Sequence, residues 1–242
     1  MIELLPFHSV HVDLVSTGGT EVLARRDQYW RLLSPEEHER MARLVFERDR
    51  YRFLLTRALV RTMLSRYATA VAPADWQFIA NVHGRPEILD RPAGVPDLRF
   101  NLSHTDGLIA CAVTIGREVG VDVEHVGRRL TQDVAARFFA PAEVAHLQSL
   151  PEDQQERVFF DYWTMKEAYI KARGFGLALP LGDFAFHFRP GAPPSITFEP
   201  AMQDDPATWQ FLQDWPTPTH RLGLAIRRTG ADLPVRIRHV VP

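Results

Sequence analysis

A glutamate and a lysine four residues apart are the first candidates for chemistry in this chain. Glu167 and Lys171 lie in a segment that begins at Trp163 and has no Gly or Pro until Gly174, which predicts a continuous helix. Residues four apart share one helix face, so the carboxylate and the ammonium are neighbours. A Glu–Lys pair at this spacing is also common on helix surfaces, where it contributes only ~0.2–0.5 kcal/mol. Taken alone, the pair therefore favours a structural role.

The residues around this pair argue against an ordinary surface helix. Phe160 and Trp163 flank the charged face. The opposite face carries an apolar stripe at three- and four-residue steps, made of Val158, Tyr162, Met165, Tyr169 and Ala172. A helix with apolar residues on both sides is expected to be buried on both sides. The charged pair would then lie in a cleft, where pKa values can shift.

A second acidic pair lies on a predicted strand. The segment Gly120–Glu124 alternates, so Asp122 and Glu124 share one face, ~7 Å apart. Two carboxylates on one face repel each other unless a cation lies between them. Oxygen-only ligands suit Mg²⁺, which is usually completed by water and substrate phosphates. The alternative, a solvent-edge strand with two hydrated acids, is at least as well supported by this segment alone.

Three further polar residues stand at turns and strand ends. Arg85 lies in a Gly-Arg-Pro turn, and Ser103 and His104 follow the predicted strand 98–100. Ligand-binding side chains are common at such positions. A guanidinium, a hydroxyl and an imidazole can each bind a phosphate, although none of the three is specific alone.

Composition excludes several classes of function. The 242 residues are 45% hydrophobic and 24% charged, values typical of a globular protein with one large or two small domains. The net charge of -2 favours neither nucleic acid nor an anionic membrane as a partner. No apolar run reaches the ~18 residues that span a bilayer, and the first residues do not resemble a signal peptide, so we expect a cytoplasmic protein. Cys111 is the only cysteine, which excludes an intrachain disulfide and a cysteine-based metal site.

The elements that must position these residues can be predicted in the first half of the chain. Residues 7–15 alternate and indicate a strand. Ser34 and Glu37 predict a capping box that opens a helix reaching Tyr67, with a break near Asp49. Short strands are then expected after the turn at Arg85 and up to Ser103.

The middle and the second half of the chain predict further strands and helices. Residues 108–115 and 119–124 are expected to form a hairpin. Helical pattern then runs over 130–172, with breaks near Pro141 and Pro151, and Gly174 ends the last helix. Five short strands complete the chain at 184–188, 196–198, 209–212, 221–227 and 235–240. The prediction is therefore a mixed α/β (α+β) fold with two halves, 1–117 and 118–242, the second carrying the acidic residues.

Five motifs occur in a fixed order along the chain: Gly-Arg-Pro at 84–86, Phe-Asn-Leu-Ser-His at 100–104, Gly-Val-Asp-Val-Glu at 120–124, Trp-Thr-Met-Lys-Glu-Ala-Tyr-Ile-Lys-Ala at 163–172 and Gly-Phe-Gly-Leu at 174–177. This combination resembles the 4′-phosphopantetheinyl transferases, in particular the long single-chain type that modifies carrier proteins of peptide and polyketide synthases. The resemblance covers residues 34–188, and residues 128–147 are similar to the family's middle helices.

The resemblance implies a pseudo-dimer of two similar α/β halves with coenzyme A bound in the cleft between them. It also implies a Mg²⁺-dependent transfer of 4′-phosphopantetheine to a serine of an apo acyl or peptidyl carrier protein, with release of 3′,5′-ADP. This is holo-[acyl-carrier-protein] synthase activity of the kind used in antibiotic, nonribosomal peptide and polyketide biosynthesis. We further expect a monomer with no nucleic-acid or membrane partner.

By the same resemblance, individual residues acquire expected roles. The metal ligands would be Asp122, Glu124 and Glu167. The residues that hold the coenzyme would be Arg40, Arg52, Arg85, Ser103, His104, Lys166 and Lys171, the first two at the 3′-phosphate and the lysines near the pyrophosphate. Catalysis would rest on Glu167 as base, with Lys171 and Asp122. Glu37 departs from the pattern, because some relatives have lysine there, which puts one phosphate contact in doubt.

Two other functions fit part of the pattern. A Mg²⁺-dependent nucleotide phosphohydrolase also needs acids and phosphate donors, and would release phosphopantetheine without an acceptor protein. A non-catalytic carrier-binding or nucleotide-binding module of the same fold is the third hypothesis. The complete set of Asp122, Glu124, Glu167 and Lys171 argues against the latter.

Overall fold

The computed structural model describes residues 9–127 and 132–242. The predictions for residues 7 and 8 of the first strand, and for the start of the middle helical segment at residues 128–131, lie outside the described residues. The helices are α1 (Thr20–Ala24), α2 (Arg26–Trp30), α3 (Pro35–Ala42), α4 (Glu47–Tyr67), α5 (Gln132–Phe138), α6 (Pro141–Ser149) and α7 (Glu152–Arg173). The strands are β1 (Val10–Ser16), β2 (Phe78–Ala80), β3 (Pro86–Ile88), β4 (Leu98–Thr105), β5 (Leu108–Ile115), β6 (Val119–His125), β7 (Phe184–His187), β8 (Ser195–Phe198), β9 (Trp209–Thr217), β10 (His220–Arg227) and β11 (Val235–His239).

These elements form two compact units. Unit 1 holds the described residues up to Val82, Pro86–Arg117 and Leu233–Pro242, and unit 2 holds His83–Arg85 and the described part of Glu118–Asp232. The chain passes from unit 1 to unit 2 between residues 117 and 118, where the sequence analysis places the boundary. The sequence analysis predicts two continuous halves, whereas each unit is made of more than one segment. The C-terminal segment belongs to unit 1 because β11 pairs with β1 in parallel.

Unit 1 contains a four-stranded sheet, in the order β11-β1-β5-β4, with the long helix α4 packed against it, together with helices α1 to α3 and the small β2-β3 sheet. The expected hairpin of residues 108–115 and 119–124 is wrong. Strand β5 pairs with β1 on one side and with β4 on the other, so both of its edges are occupied, and β6 pairs with β10 instead. The turn at Gly116 thus carries the chain into unit 2 rather than closing a hairpin.

The helical region after Ser34 confirms the predicted cap and moves the predicted break. The Ser34 side chain accepts a hydrogen bond from the backbone N–H of Glu37, whose side chain accepts one from the backbone N–H of Ser34. The break falls at residues 43–46 and not at Asp49, because Phe46 is extended (φ -93°, ψ 137°). Asp49 lies in the first turn of α4, where the helix dipole favours a carboxylate.

Unit 2 combines a three-stranded antiparallel sheet, in the order β6-β10-β9, with the small β7-β8 sheet and three helices. Helix α7 lies against β6 and β10, and ten of its residues are buried. The predicted burial on both sides is confirmed, since Phe160 and Tyr162 are both enclosed. Each unit therefore packs a long helix against a sheet, which is mixed in unit 1 and antiparallel in unit 2, and the predicted mixed α+β class is confirmed. Among the described residues, no helix is long and apolar enough to cross a bilayer.

Candidate active site

Two glycines allow α7 to approach the sheet of unit 2 closely. A Cβ atom on Gly120 of β6 would lie 2.0 Å from the Ala168 carbonyl oxygen, and one on Gly223 of β10 would lie 2.5 Å from the Thr164 carbonyl oxygen. Asp122 is paired with Gly223 across the strands, so its side chain shares the sheet face that meets α7. The strand acids and the helix acid are thereby directed to the same region. The sequence signal for Gly223 was its place inside the predicted strand 221–227, where glycine often marks a close approach of backbone.

The structure brings the four predicted acid–base residues of unit 2 together. Lys171 Nζ donates a hydrogen bond to Asp122 Oδ1 at 2.6 Å. The Asp122 side chain is only 4% exposed, whereas that of Lys171 is 25% exposed. Glu167 interacts electrostatically with Asp122, Glu124 and Lys171. The cluster therefore joins three carboxylates and one ammonium on two adjoining elements.

The protonation of this cluster follows from burial and from the excess of acids. Burial raises the pKa of Glu167 to about 7, with further increases from Asp122 and Glu124 and an opposing effect of Lys171. Burial also acts to lower the pKa of Lys171, but Asp122 and Glu167 outweigh it and raise that pKa. At neutral pH, Lys171 is therefore charged, and Glu167 is poised between its acid and base forms, as a general base should be.

The acidic cluster offers oxygen donors only, which is the chemistry that Mg²⁺ prefers. Within residues 9–127 and 132–242, no group of three or more His, Cys, Asp or Glu side chains is arranged as a ready-made metal cage. A site completed by water and phosphate needs fewer protein ligands than such a cage. After burial, the charges of Asp122 and Glu124 also raise the pKa of Glu167, and a cation among the three carboxylates would relieve that repulsion. The chemistry of Asp122, Glu124 and Glu167 therefore fits a divalent ion.

Lys166 lies on a different face of α7 from Glu167. Its side chain is fully buried, and Nζ donates to the carbonyl oxygens of Leu181 and Phe184, both at 2.7 Å, and forms an ion pair with Glu143 at 2.7 Å. Neighbouring residues of a helix point about 100° apart, so Lys166 is directed away from Glu167. Its expected role near the pyrophosphate stays a prediction. Its partner Glu143 also accepts hydrogen bonds from the backbone N–H groups of Ala140 and Phe186.

Arg85 lies at the C-terminal end of α7. Its Nη1 donates to the carbonyl oxygens of Lys171 (3.3 Å) and Ala172 (2.9 Å) in the last turn of the helix, where carbonyl groups lack the usual i+4 partner. Gly174 ends the helix in the left-handed conformation (φ 72°), and a Cβ there would lie 2.7 Å from the Arg85 guanidinium. Arg85 thus holds the helix turn that carries Lys171, and its role toward the coenzyme remains a prediction.

The other predicted coenzyme-binding residues lie in unit 1. Ser103 is buried and His104 is exposed on β4, where neighbouring residues point to opposite faces of the sheet. Arg40 is exposed at the end of α3, and Arg52 of α4 forms an ion pair with Asp49 at 2.8 Å. The roles of these four side chains toward the coenzyme stay predictions.

Sequence analysis missed Asp204, a carboxylate that binds two residues in the last turns of α7. Asp204 accepts hydrogen bonds from Tyr169 (2.7 Å), Arg227 (2.8 Å) and Trp209 (3.0 Å), and it also binds Arg173. Burial acts to raise the pKa of Asp204, but these hydrogen bonds outweigh it and lower that pKa. No sequence signal marks this residue, because its partners come from distant segments.

Replacing Asp204 with Asn is expected to lower the free energy of unfolding by about 2 kcal/mol at pH 7, because hydrogen bonds to a charged group are lost. A carboxylate with a lowered pKa stabilises the fold above its unfolded-state pKa, and that contribution disappears as pH falls through the folded-state pKa. The difference between parent and variant should therefore shrink in acid. Urea denaturation at pH 7 and pH 3 measures it, and a difference that is independent of pH would contradict this account.

The chain is similar to known proteins over most of its length. Residues 118–224 match the 4′-phosphopantetheinyl transferase superfamily, and residues 24–115 match the N-terminal domain of 4′-phosphopantetheinyl transferase. The 4′-phosphopantetheinyl transferase HetI of Nostoc sp. is 40% identical over 184 residues, which is 75% of this chain and 73% of HetI. A 4′-phosphopantetheinyl transferase of Bacillus subtilis is 35% identical over 76% of this chain and 77% of its own length.

A further relative and a solved structure are more distant. The 4′-phosphopantetheinyl transferase Sfp of Bacillus subtilis is 33% identical over 66% of this chain and 68% of Sfp. The crystal structure of Thermotoga maritima holo-[acyl-carrier-protein] synthase covers 47% of this chain and 64% of its own, with a TM-score of 0.38 and 19% identity. Two relatives at 35–40% identity, each matched over more than seven-tenths of its length, place the sequence within one family. The chain belongs to the 4′-phosphopantetheinyl transferase family.

Proposed function

We propose that this protein transfers the 4′-phosphopantetheine group of coenzyme A to a serine of an apo acyl or peptidyl carrier protein and releases 3′,5′-ADP. The observation that carries the proposal is the cluster in which Glu167, with a pKa of about 7, lies beside the Lys171–Asp122 ion pair. A base and a fixed cation side by side are what the transfer of a phosphoryl-type group to a hydroxyl requires. The names of the relatives support the same reaction class.

The acids of the cluster are proposed to hold Mg²⁺. Asp122, Glu124 and Glu167 would be its ligands, and the ion, when bound, would neutralise charge on the coenzyme's pyrophosphate. A structure-based reason for this assignment is the electrostatic coupling of the three carboxylates.

The side chains then have separate tasks in the transfer. The carrier's serine oxygen attacks the β-phosphorus, and Glu167 accepts the proton of that hydroxyl. The bond between the β-phosphorus and the bridging oxygen breaks as the new one forms, and Lys171 stabilises the negative oxygen of the departing 3′,5′-ADP. Asp122 keeps the Lys171 ammonium in place through the 2.6 Å hydrogen bond. Arg85 supports the same turn of α7 from its C-terminal end.

Incubation with coenzyme A, Mg²⁺ and a panel of apo carrier proteins tests the proposal. Intact-mass spectrometry should show carriers that gain one phosphopantetheine arm, together with an equal amount of 3′,5′-ADP. Excess EDTA should abolish the gain, and added Mg²⁺ should restore it, because three carboxylates would otherwise lack their counter-ion. Release of phosphopantetheine without a carrier would instead support a phosphohydrolase, and carrier binding without any reaction would support a binding module.

The pathway that this reaction would serve is inferred from the resemblance of the motifs to the long single-chain type of transferase. We propose that the protein modifies carrier proteins of antibiotic, nonribosomal peptide or polyketide synthesis. It would act as a cytoplasmic monomer whose partners are these carriers and coenzyme A.

A further inference from the structure

Unit 1 contains a cavity of about 840 Å³ that the acid cluster of unit 2 does not use. Its wall is formed by α3, by the middle of α4 and by residues 74–78, and it includes Glu37, Arg40, Arg57 and Phe78. The acids Glu36 and Asp75 lie at the exposed rim, and Glu36 is hydrogen-bonded to Ser34. The cavity is therefore lined by three arginines (Arg40, Arg57 and Arg61), two aromatic side chains and the buried acid Glu37, with two further acids at its rim.

Two arginines that line this cavity lie beside the same aromatic ring. The guanidinium groups of Arg40 and Arg57 lie 5.8 Å and 5.3 Å from the centre of the same Phe53 ring, and Arg57 is also 5.6 Å from the centre of Phe78. Burial lowers the pKa of Arg57, and repulsion from Arg40 and Arg61 adds to that effect against the opposing pull of Glu37. Two like charges near each other repel, and an anion bound between them would relieve that repulsion.

Glu37 explains how Arg57 is held there. One carboxylate oxygen lies 3.2 Å from Arg57 Nε, and the other lies 2.7 Å from Arg61 Nη2. Arg61 is only 1% exposed and also donates to the carbonyl oxygens of Pro73, Ala74 and Trp76, so it neutralises Glu37 from within the protein. The ion pair occupies one N–H donor of Arg57 and leaves both terminal nitrogens of the fork for another acceptor.

We propose that Arg57, positioned by Glu37, is a further coenzyme-binding residue that, together with Arg40, binds the phosphate monoester of the nucleotide. The inference rests on the proposed use of coenzyme A, which carries such a group in addition to its pyrophosphate. A guanidinium fork binds phosphate oxygens in a bidentate manner. Glu37, which stands where some relatives have lysine, would then act by holding Arg57 in place.

Calorimetric titration with 3′,5′-ADP and with 5′-AMP, in EDTA and without a carrier, tests this site. The parent protein should bind 3′,5′-ADP more tightly than 5′-AMP. Arg57→Gln should weaken 3′,5′-ADP binding about tenfold or more and leave 5′-AMP unchanged, because a charge-assisted hydrogen bond to the monoester phosphate is lost. Arg57→Lys keeps the positive charge but lacks the guanidinium fork, so its affinity for 3′,5′-ADP should lie between those of the parent and of Arg57→Gln.

Two other arginines of α4 provide the control and the comparison for this test. Arg48→Gln, at a side chain that is 80% exposed, should change neither affinity. Equal losses for both nucleotides in Arg57→Gln, or a loss selective for 3′,5′-ADP in Arg52→Gln but not in Arg57→Gln, would overturn the inference. Because the titration needs no transfer, selective binding of 3′,5′-ADP with no carrier loading would refute the proposed function and leave this site standing.

Discussion

Replacing Glu167 with Gln is expected to reduce carrier loading by about 10²- to 10⁴-fold, the range that general acid–base catalysis contributes. Gln has the same shape but cannot accept the proton of the attacking hydroxyl, and it removes one proposed metal ligand. The rate of loading at saturating coenzyme A and carrier, followed by intact-mass spectrometry, measures the loss. Turnover near that of the parent would remove Glu167 from the mechanism.

The same variant should remain folded, which separates loss of chemistry from loss of structure. A carboxyl group whose pKa is raised from 4.5 to about 7 destabilises the folded state as pH rises through that interval. Without metal at pH 8, Glu167→Gln should therefore unfold at a temperature equal to or above that of the parent. Glu156→Gln, an exposed position on the same helix, is the matched control and should retain loading.

Periodicity predicted which way each acid of unit 2 points, and the family resemblance predicted that these acids meet. The alternation at 120–124 places Asp122 on the face of Gly120, and the helical period places Glu167 and Lys171 together. Both faces meet in the structure because glycine lets the helix lie directly on the strand. Local pattern determines these directions, so sequence alone could predict them.

Pattern could not predict contacts decided by distant residues. Lys166 is adjacent to Glu167 in sequence, but it is buried because Glu143, from another helix, supplies its counter-charge. Glu37 was correctly predicted as a capping residue, yet its pairing with Arg57 depends on how α3 packs on α4. The hairpin at 108–124 failed for a similar reason, since β5 finds both partners elsewhere in unit 1.

Replacing Gly120 with Ala is expected to cost at least about 3 kcal/mol of stability, because the added methyl meets backbone that cannot move aside. Its Cβ would lie 2.0 Å from the Ala168 carbonyl oxygen and 2.4 Å from the Ala172 nitrogen, both in α7. Relief of the clash requires the helix to move away from β6. Urea denaturation of the purified variant measures the loss.

The activity of the Gly120→Ala variant tests whether close packing of α7 on β6 positions the acid cluster, or whether the Lys171–Asp122 ion pair alone is sufficient. If α7 moves, Lys171 loses the 2.6 Å hydrogen bond to Asp122, so the folded fraction should also load carriers more slowly than the parent. Gly182→Ala is the matched control in unit 2, because nothing lies within 4 Å of its added Cβ. A Gly120→Ala protein with parental stability and loading would show that the helix and strand tolerate a wider separation, and that the position of Glu167 depends on other contacts.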